Sequence, residues 1–315
     1  MKLISIPANP VPEGAVLAML KTPDGITLRT ARWAPPPGRK GTVCLFQGRT
    51  EFIEKYYETV RDLRDRGFAV ATFDWRGQGL SDRLLADPHK GHIQNFSRYD
   101  IDLDAFMHEI VLPDCPPPYF ALAHSTGSAV LMRAAARGAR WFDRMVFTAP
   151  LIRLARVPVM GFAGGVVRTL RMIGMGSSYA PGGSATPIGL KPFVGNILTS
   201  DPVRYARTAA VLEAEPEVGI GGPTVAWVDS AFRVMSEFAQ PGYAEQIRQA
   251  ILIVAAGRDK ITSTSAIETF SPRLRAGSHL IIAGAQHEIM MEQDGYRQQF
   301  WAAFDAFVPG TPLYK

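Results

Sequence analysis

The sequence predicts an α/β fold: a mostly parallel central sheet flanked by helices, with an inserted, mainly helical cap. Three observations point there. Short apolar runs alternate with segments of helical periodicity, the pattern of strand–helix–strand units joined by right-handed crossovers. Polar residues stand at or just beyond the carboxyl ends of these runs (Gln47, Asp74, Ser125, Asp259 and His287), where open sheets of this kind gather their chemistry. The alternation breaks off near residue 150 and resumes near 250, which marks the stretch between as an insertion.

In chain order, residues 16–33 read as two strands joined at Asp24-Gly25, a strong hairpin signal, and Pro35-Pro36-Pro37-Gly38 then breaks the chain. GTVCLFQG (41–48) is the nearly continuous apolar run of a strand buried on both faces. Ile53, Tyr57, Val60 and Leu63 recur at helical spacing until Gly67 ends the segment. Residues 68–77 are the next buried strand. A longer loop follows, then a helix from about Tyr99 to Leu112 with Ile101, Ala105, Ile110 and Val111 facing inward. Strand 119–123, helix 126–137 and strand 144–150 continue the pattern, and after the interruption come strands 250–259 and 278–287 and a helix over 295–307. The interruption is rich in Gly, Pro and Met and turns helical over 236–249. Residues 1–150 and 246–315 therefore read as one catalytic core, with 151–245 as a cap over the strand ends.

Composition narrows the function. With 315 residues, 47% of them hydrophobic and 20% charged, the chain can bury a sizeable core. A net charge of +5 suits an anionic membrane surface or a phosphate-bearing substrate. The basic residues are scattered along the chain, so no nucleic-acid partner is expected. Cys44 and Cys115 are the only cysteines and no Cys/His cluster occurs, which argues against a disulfide framework or structural zinc and fits a reducing compartment. The N-terminal MKLISIPANPVPEG lacks the sustained apolar region of a secretory signal, and no stretch approaches the roughly 18 uninterrupted apolar residues of a spanning helix. A cytoplasmic protein is expected, with peripheral contact at the inner face of the membrane left open.

The chemistry centres on YFALAHSTGSAVLMRAAARG (119–138), an apolar strand, one sharp turn and a helix. This is the setting of a nucleophile elbow, G-x-S-x-G, with Ala123 in place of the first glycine and Gly127 kept. A serine hydroxyl needs a base to take its proton, a third group to orient that base, and N–H donors for the oxyanion. Ser125 alone could equally be a helix cap. His287 and Asp259, each beyond a later strand, supply base and orienter in the chain order Ser125…Asp259…His287 that this architecture requires. His279 begins a strand, His89 and His92 lie in a loop, and Ser177, Ser178 and Ser184 have no strand before them, so all are weaker candidates. In LFQGRTEF (45–52), Gly48 lets the chain turn so that the N–H of Arg49 faces the same point as that of Thr126. The loop also reads as an ordinary strand-to-helix turn with Thr50 or Glu51 near the helix start; the triad favours the oxyanion reading.

FDWRGQGLSDRLLADPHKGHIQNFSRYDIDLDAF (73–106) resembles the D-x-R-G-x-G-x-S loop and the G-H-x-x-x-F segment of bacterial lysophospholipases and monoacylglycerol lipases. AHSTG, AAGRDKIT and AGAQHEIMME are similar to that family's nucleophile, acid and histidine segments, and 198–228 is similar to its cap. The resemblance covers most of 40–310. It implies an α/β-hydrolase fold and hydrolysis of an acyl ester or lipid, a small-molecule substrate, with no cofactor and no metal. The family often has His-Gly where this chain has Gln47-Gly48, a departure that leaves the backbone donor intact. For Arg76, Gly77, Gln78 and Gly79 a structural role is expected, with Arg76 in a local ion pair.

In the cap, the apolar run 157–167 is flanked by Arg153, Arg156, Arg168 and Arg171. It reads either as a lid helix with solvated arginines or as an acyl channel whose rim meets membrane or a phosphate headgroup. Met160, Phe162, Trp227, Phe232 and Met235 are candidate acyl contacts. Two alternatives stay open: an aminopeptidase, which needs a cap carboxylate such as Glu213, Glu215 or Glu217 for the free amine, and a non-catalytic lipid-binding protein on the same scaffold.

Overall fold

Strand pattern and burial agree at the centre of the molecule. A computed structural model of the chain describes residues 2–36, 40–155 and 160–308. Strands β3 (Thr42–Phe46) and β4 (Ala69–Phe73) are buried at every residue, as their unbroken apolar runs require. Alternate side chains enter two cores: Cys44 and Phe46 one face of the sheet, Val43 and Leu45 the other. With β1 (Ala15–Lys21), β2 (Thr27–Trp33), β5 (Tyr119–His124), β6 (Arg144–Thr148), β7 (Ala250–Ala256) and β8 (Gly277–Ile282) they form one eight-stranded sheet, ordered β1-β2-β4-β3-β5-β6-β7-β8. The β1–β2 hairpin and the β2–β4 pair are antiparallel, and the remaining pairs are parallel.

Helices cover both faces. On one lie α1 (Tyr57–Asp65) and α9 (Asp294–Phe307), whose Val60, Leu63, Phe300 and Phe304 are fully buried. On the other lie α2 (Ser97–Phe106), which passes through a π-helical turn (Met107–Val111) into the short α3 (Leu112–Asp114), and α4 (Thr126–Ala136). Leu103, Phe106 and Met107 complete the inward face of α2 and its π turn, whereas the expected Ile101 is only half-buried. Arg76 makes the expected ion pairs, with Asp24 of the hairpin (2.7 Å) and Asp102 of α2 (2.7 Å).

Between β6 and β7 the chain forms α5 (Met160–Met172), α6 (Pro202–Ala214) and α7 (Val225–Phe238), and α8 (Thr264–Phe270) follows β7. The expected helix over 236–249 is different in the structure. Helix α7 ends at Phe238 and only a single 3-10 turn (Ala244–Gln246) follows, because Pro241 has no N–H to continue the ladder. Asp201 caps α6 by accepting from the N–H groups of Val203 and Arg204 (2.9 and 2.8 Å), and Arg204 then reaches Glu58 of α1 (2.6 Å). The Arg204–Glu58 pair ties α6 to α1.

Candidate active site

Ser125 sits between the end of β5 and the start of α4 with φ 48° and ψ −109°, a strained conformation for a residue with a Cβ. Neighbouring strands hold it there. Its N–H donates to the Thr148 carbonyl of β6 (3.0 Å), and its own carbonyl accepts from Ala129 (3.3 Å) and Leu151 (3.2 Å). The tight turn brings α4 against β3: a Cβ on Gly127 would lie 2.7 Å from the Gln47 carbonyl oxygen and 2.9 Å from that of Phe46. Position 123 is less demanding, since the Ala123 methyl is packed in the core.

The imidazole of His287 joins Ser125 to Asp259. Because the Asp259 carboxylate only accepts, Nδ1–H of His287 donates to its Oδ2 (2.8 Å), leaving Nε2 to accept the Ser125 hydroxyl (3.2 Å). Asp259 is itself fixed from the far side. Oδ1 accepts from the N–H groups of Ile261 (2.7 Å) and Thr262 (3.0 Å), and Oδ2 from the Thr262 hydroxyl (2.7 Å). Burial alone would raise the Asp259 carboxyl; the adjacent imidazole and these donors override it and hold the group below its ordinary range. Burial would likewise lower His287, and the carboxylates of Asp259, Glu288 and Glu51 instead raise it.

The loop after β3 is clamped beside the elbow. Gln78 donates Nε2–H to the Gly48 carbonyl (3.0 Å) and accepts the Thr50 N–H (3.1 Å), bracketing Arg49 from both sides. Glu51 accepts the Gly48 N–H (2.5 Å). Among the described residues, no protein acceptor takes up the N–H of Arg49 or of Thr126. The Gln47 side chain is buried with neither amide atom partnered, so it plays no part in this clamp. In the loop after β4, Asp74 anchors the D-x-R-G-x-G-x-S segment: its carboxylate accepts from Ile53 and Leu80 N–H (both 2.9 Å) and pairs with Arg29 (2.6 Å).

Sequence reading did not anticipate the charged cluster beneath this loop. Lys55 bridges Glu51 (2.9 Å) and Glu288 (2.6 Å), and Tyr56 donates its hydroxyl to Glu51 (2.6 Å). The Lys55 cation and the other donors overcome burial and hold Glu51 down at about 2, whereas burial leaves Glu288 raised. His124 packs against the His287 ring (centroids 4.7 Å apart) and bonds Thr148 through Nδ1; burial pulls its pKa down to about 4. The i, i+4 spacing of Glu51 and Lys55 was the one available signal.

A cavity of about 240 Å³ opens onto the triad. Arg49, Thr126, Ser125, His287, Trp227 and Met235 all face it, and Leu151, Leu154, Ile188, Leu198, Val228, Ala231 and Ile261 make the remaining wall largely apolar. Two expected acyl contacts are elsewhere. Phe232 is buried behind the wall, against Gly164 of α5. Phe162 is 74% exposed, because Ala163, Val167 and Leu170 form the inward stripe of α5 and Phe162 stands about a quarter-turn off it. The Met160 side chain, together with Arg156 and 157–159, lies outside the described residues. Arg171 is not a solvated lid arginine: it pairs with Asp229 of α7 (2.6 Å) and donates to the Gln94 carbonyl (2.8 Å). A larger and more open groove of about 460 Å³, between α7 and α8, holds no triad member.

The family model described as serine aminopeptidase, S33, matches residues 37–294. The chain belongs to this family of α/β-hydrolases. Lysophospholipase L2 of Escherichia coli is 32% identical over 286 residues, covering 87% of this chain and 82% of the relative. The probable lysophospholipase L2 of Haemophilus influenzae is 25% identical over 275 residues, covering 87% and 85%. Among solved structures, a soluble variant of the Saccharomyces cerevisiae monoglyceride lipase superposes with a TM-score of 0.72 at 19% identity, covering 93% of this chain and 95% of the other. That likeness shows the S33-type α/β-hydrolase fold.

Proposed function

We propose that this S33-family chain is a carboxylic ester hydrolase that cleaves monoacyl lipids through an acyl-enzyme on Ser125. The observation that carries the reading is the hydrogen-bonded chain Ser125–His287–Asp259, with links of 3.2 and 2.8 Å, at the floor of a largely apolar cavity. Ser125 Oγ attacks the ester carbonyl carbon as its proton passes to His287 Nε2, and the N–H groups of Arg49 and Thr126 receive the oxyanion. Collapse of the tetrahedral intermediate breaks the bond to the alcohol oxygen, which takes the proton from Nε2. Water then gives a proton to Nε2 and attacks the acyl carbon, releasing the fatty acid and returning the proton to Ser125. The names of the Escherichia coli and Haemophilus influenzae relatives support a lysophospholipid as substrate.

The aminopeptidase alternative needs a carboxylate at the cavity to hold an amine. Glu213, Glu215 and Glu217 are not among the cavity residues, and Glu215 instead pairs with Lys2. The cavity's own Glu51 and Glu288 are already bound by Lys55. Hydrolysis of p-nitrophenyl esters of rising chain length against aminoacyl arylamides separates the two readings. Esters are the expected substrates, and faster cleavage of the arylamides would move the assignment to a peptidase.

The proposal includes peripheral membrane contact. No helix among the described residues is long and apolar enough to cross a membrane. Along the outer side of α5, Phe162 and Val166, with Ile173 just beyond its end, form one exposed apolar stripe, and Met172 (73%) is exposed in the same last turn. This surface supports shallow insertion into an interface. Two free, buried cysteines fit the cytoplasmic side. Cosedimentation with anionic vesicles that persists undiminished in a Phe162→Asp, Ile173→Asp double variant would remove this part of the proposal.

A further inference from the structure

Arg29, Arg76, Arg204 and Arg297, which carry their charge into the body of this molecule, are matched by carboxylates. Arg29 pairs with Glu54 and Asp74, Arg76 with Asp24 and Asp102, Arg204 with Glu58, Asp201 and Asp294, and Arg297 with Glu58 and Asp62. Arg49 departs from this pattern. Its guanidinium faces the catalytic cavity and has no carboxylate within ion-pair distance among the described residues. Its neighbours are neutral: Nη1–H donates to the Gly221 carbonyl (3.0 Å), and the guanidinium lies 5.4 Å from the Trp227 ring centroid. Trp227 is held in turn by its indole N–H on the Tyr99 hydroxyl (3.2 Å). Burial lowers the Arg49 pKa to about 10, which leaves it charged at neutral pH. The acidic side chains that share the cavity do not serve it, because Lys55 holds both Glu51 and Glu288. A desolvated, rigidly supported cation with unused N–H donors in an apolar cavity is a receptor for an anion.

We propose that the Arg49 side chain binds a phosphate oxyanion of the leaving group, so that phosphate-bearing glycerol esters are the favoured substrates. This rests on the ester-hydrolase reading above, which uses the same residue's backbone N–H at the carbonyl oxygen. The side chain therefore reaches out from the scissile carbonyl by one side-chain length, comparable with the three-carbon glycerol span between an ester and its terminal phosphate. Guanidinium matches phosphate through two parallel hydrogen bonds, which a neutral glycerol cannot offer. The apolar wall of Leu154, Val228, Ala231, Met235 and Ile261 is left for the acyl chain.

The test compares the full chain with Arg49→Met and Arg49→Lys, recording a melting temperature for each. Substrates are 1-octanoylglycerol and 1-octanoylglycerol 3-phosphate, which differ only in the phosphate. Wild type should favour the phosphate ester. The kcat/KM ratio of the two should fall about 10- to 100-fold in Arg49→Met, the range for losing a hydrogen-bonded charged partner, and less in Arg49→Lys. Glycerol 3-phosphate should compete with p-nitrophenyl butyrate in wild type and more weakly in Arg49→Met. An equal loss on both esters would make Arg49 a packing residue between loop and cap and overturn the proposal. Inhibition by inorganic phosphate as strong as by glycerol 3-phosphate, with an unchanged substrate ratio, would also overturn it in favour of a free-anion site. Should wild type cleave neither ester, the hydrolase reading fails, and melting decides for Arg49. A rise with glycerol 3-phosphate in wild type alone supports anion binding, and no rise refutes it.

Discussion

Replacing Asp259 with Asn tests the geometry of the triad through a proton's position. The two carboxylate oxygens of Asp259 are not equivalent. Oδ1 accepts two backbone N–H groups, from Ile261 and Thr262, while Oδ2 faces His287 Nδ1–H and the rotatable Thr262 hydroxyl. The amide oxygen of asparagine must therefore take the Oδ1 place. The reverse orientation would leave two backbone donors facing an NH2 group, at about 1–3 kcal/mol for each buried group left unsatisfied. The NH2 then faces Nδ1 of His287, which is neutral only as an acceptor, and the ring proton moves to Nε2. That nitrogen can no longer take the Ser125 proton, and the expected loss in kcat is about 10⁴-fold, or about 5 kcal/mol of transition-state stabilisation. Steady-state hydrolysis of p-nitrophenyl butyrate measures it, with the melting temperature reporting that the fold is kept. A well-folded Asp259→Asn protein within about tenfold of wild type would refute the assignment of Asp259 as the orienting group.

Other consequences follow from the same geometry. His287 must be neutral to accept a proton, and its pKa is raised by neighbouring carboxylates against burial, so activity should fall on the acid side with a midpoint above the ordinary 6.5; a pH profile of kcat/KM checks this. The sign for stability is opposite: the raised folded pKa contributes stability that is present below 6.5 and lost as pH rises through the folded value. In Gly79→Ala the new Cβ would overlap the Asp74 carboxylate at φ +53°, combining overpacking with backbone strain; a loss of about 2–4 kcal/mol is expected by denaturant unfolding. Ala123→Gly removes a buried methyl from β5 and should cost about 1–2 kcal/mol while Ser125 remains reactive towards a fluorophosphonate.

The meeting of Ser125, His287 and Asp259 was legible because each lies close after an apolar strand, and a parallel sheet brings such ends together whatever their separation in sequence. Ser125 and His287 are 162 positions apart and still meet. The hairpin at Asp24-Gly25 and the buried strands were legible for a similar reason, since composition and period act locally. What could not be read depends on which distant elements pack. Lys55 and Glu288 are separated by 233 positions, and nothing in either segment announces the other. The first turns of α5 hold only apolar residues and glycines, so their pattern does not say whether Phe162 or Ala163 faces α7; only the packing against Phe232 decides. For Arg49 the sequence pattern points to the backbone N–H alone, because the lack of a carboxylate beside its side chain among the described residues is visible only in three dimensions.

The central claim is that Ser125 is a nucleophile activated by His287, and covalent labelling tests it most directly. The purified chain is treated with a fluorophosphonate and analysed by intact mass and peptide mapping, beside Ser125→Ala. One adduct per chain is expected, on the peptide that carries Ser125, with none in the variant. Equal labelling of both proteins, or none in a folded wild type, would contradict the account and return Ser125 to the role of a residue at the start of a helix.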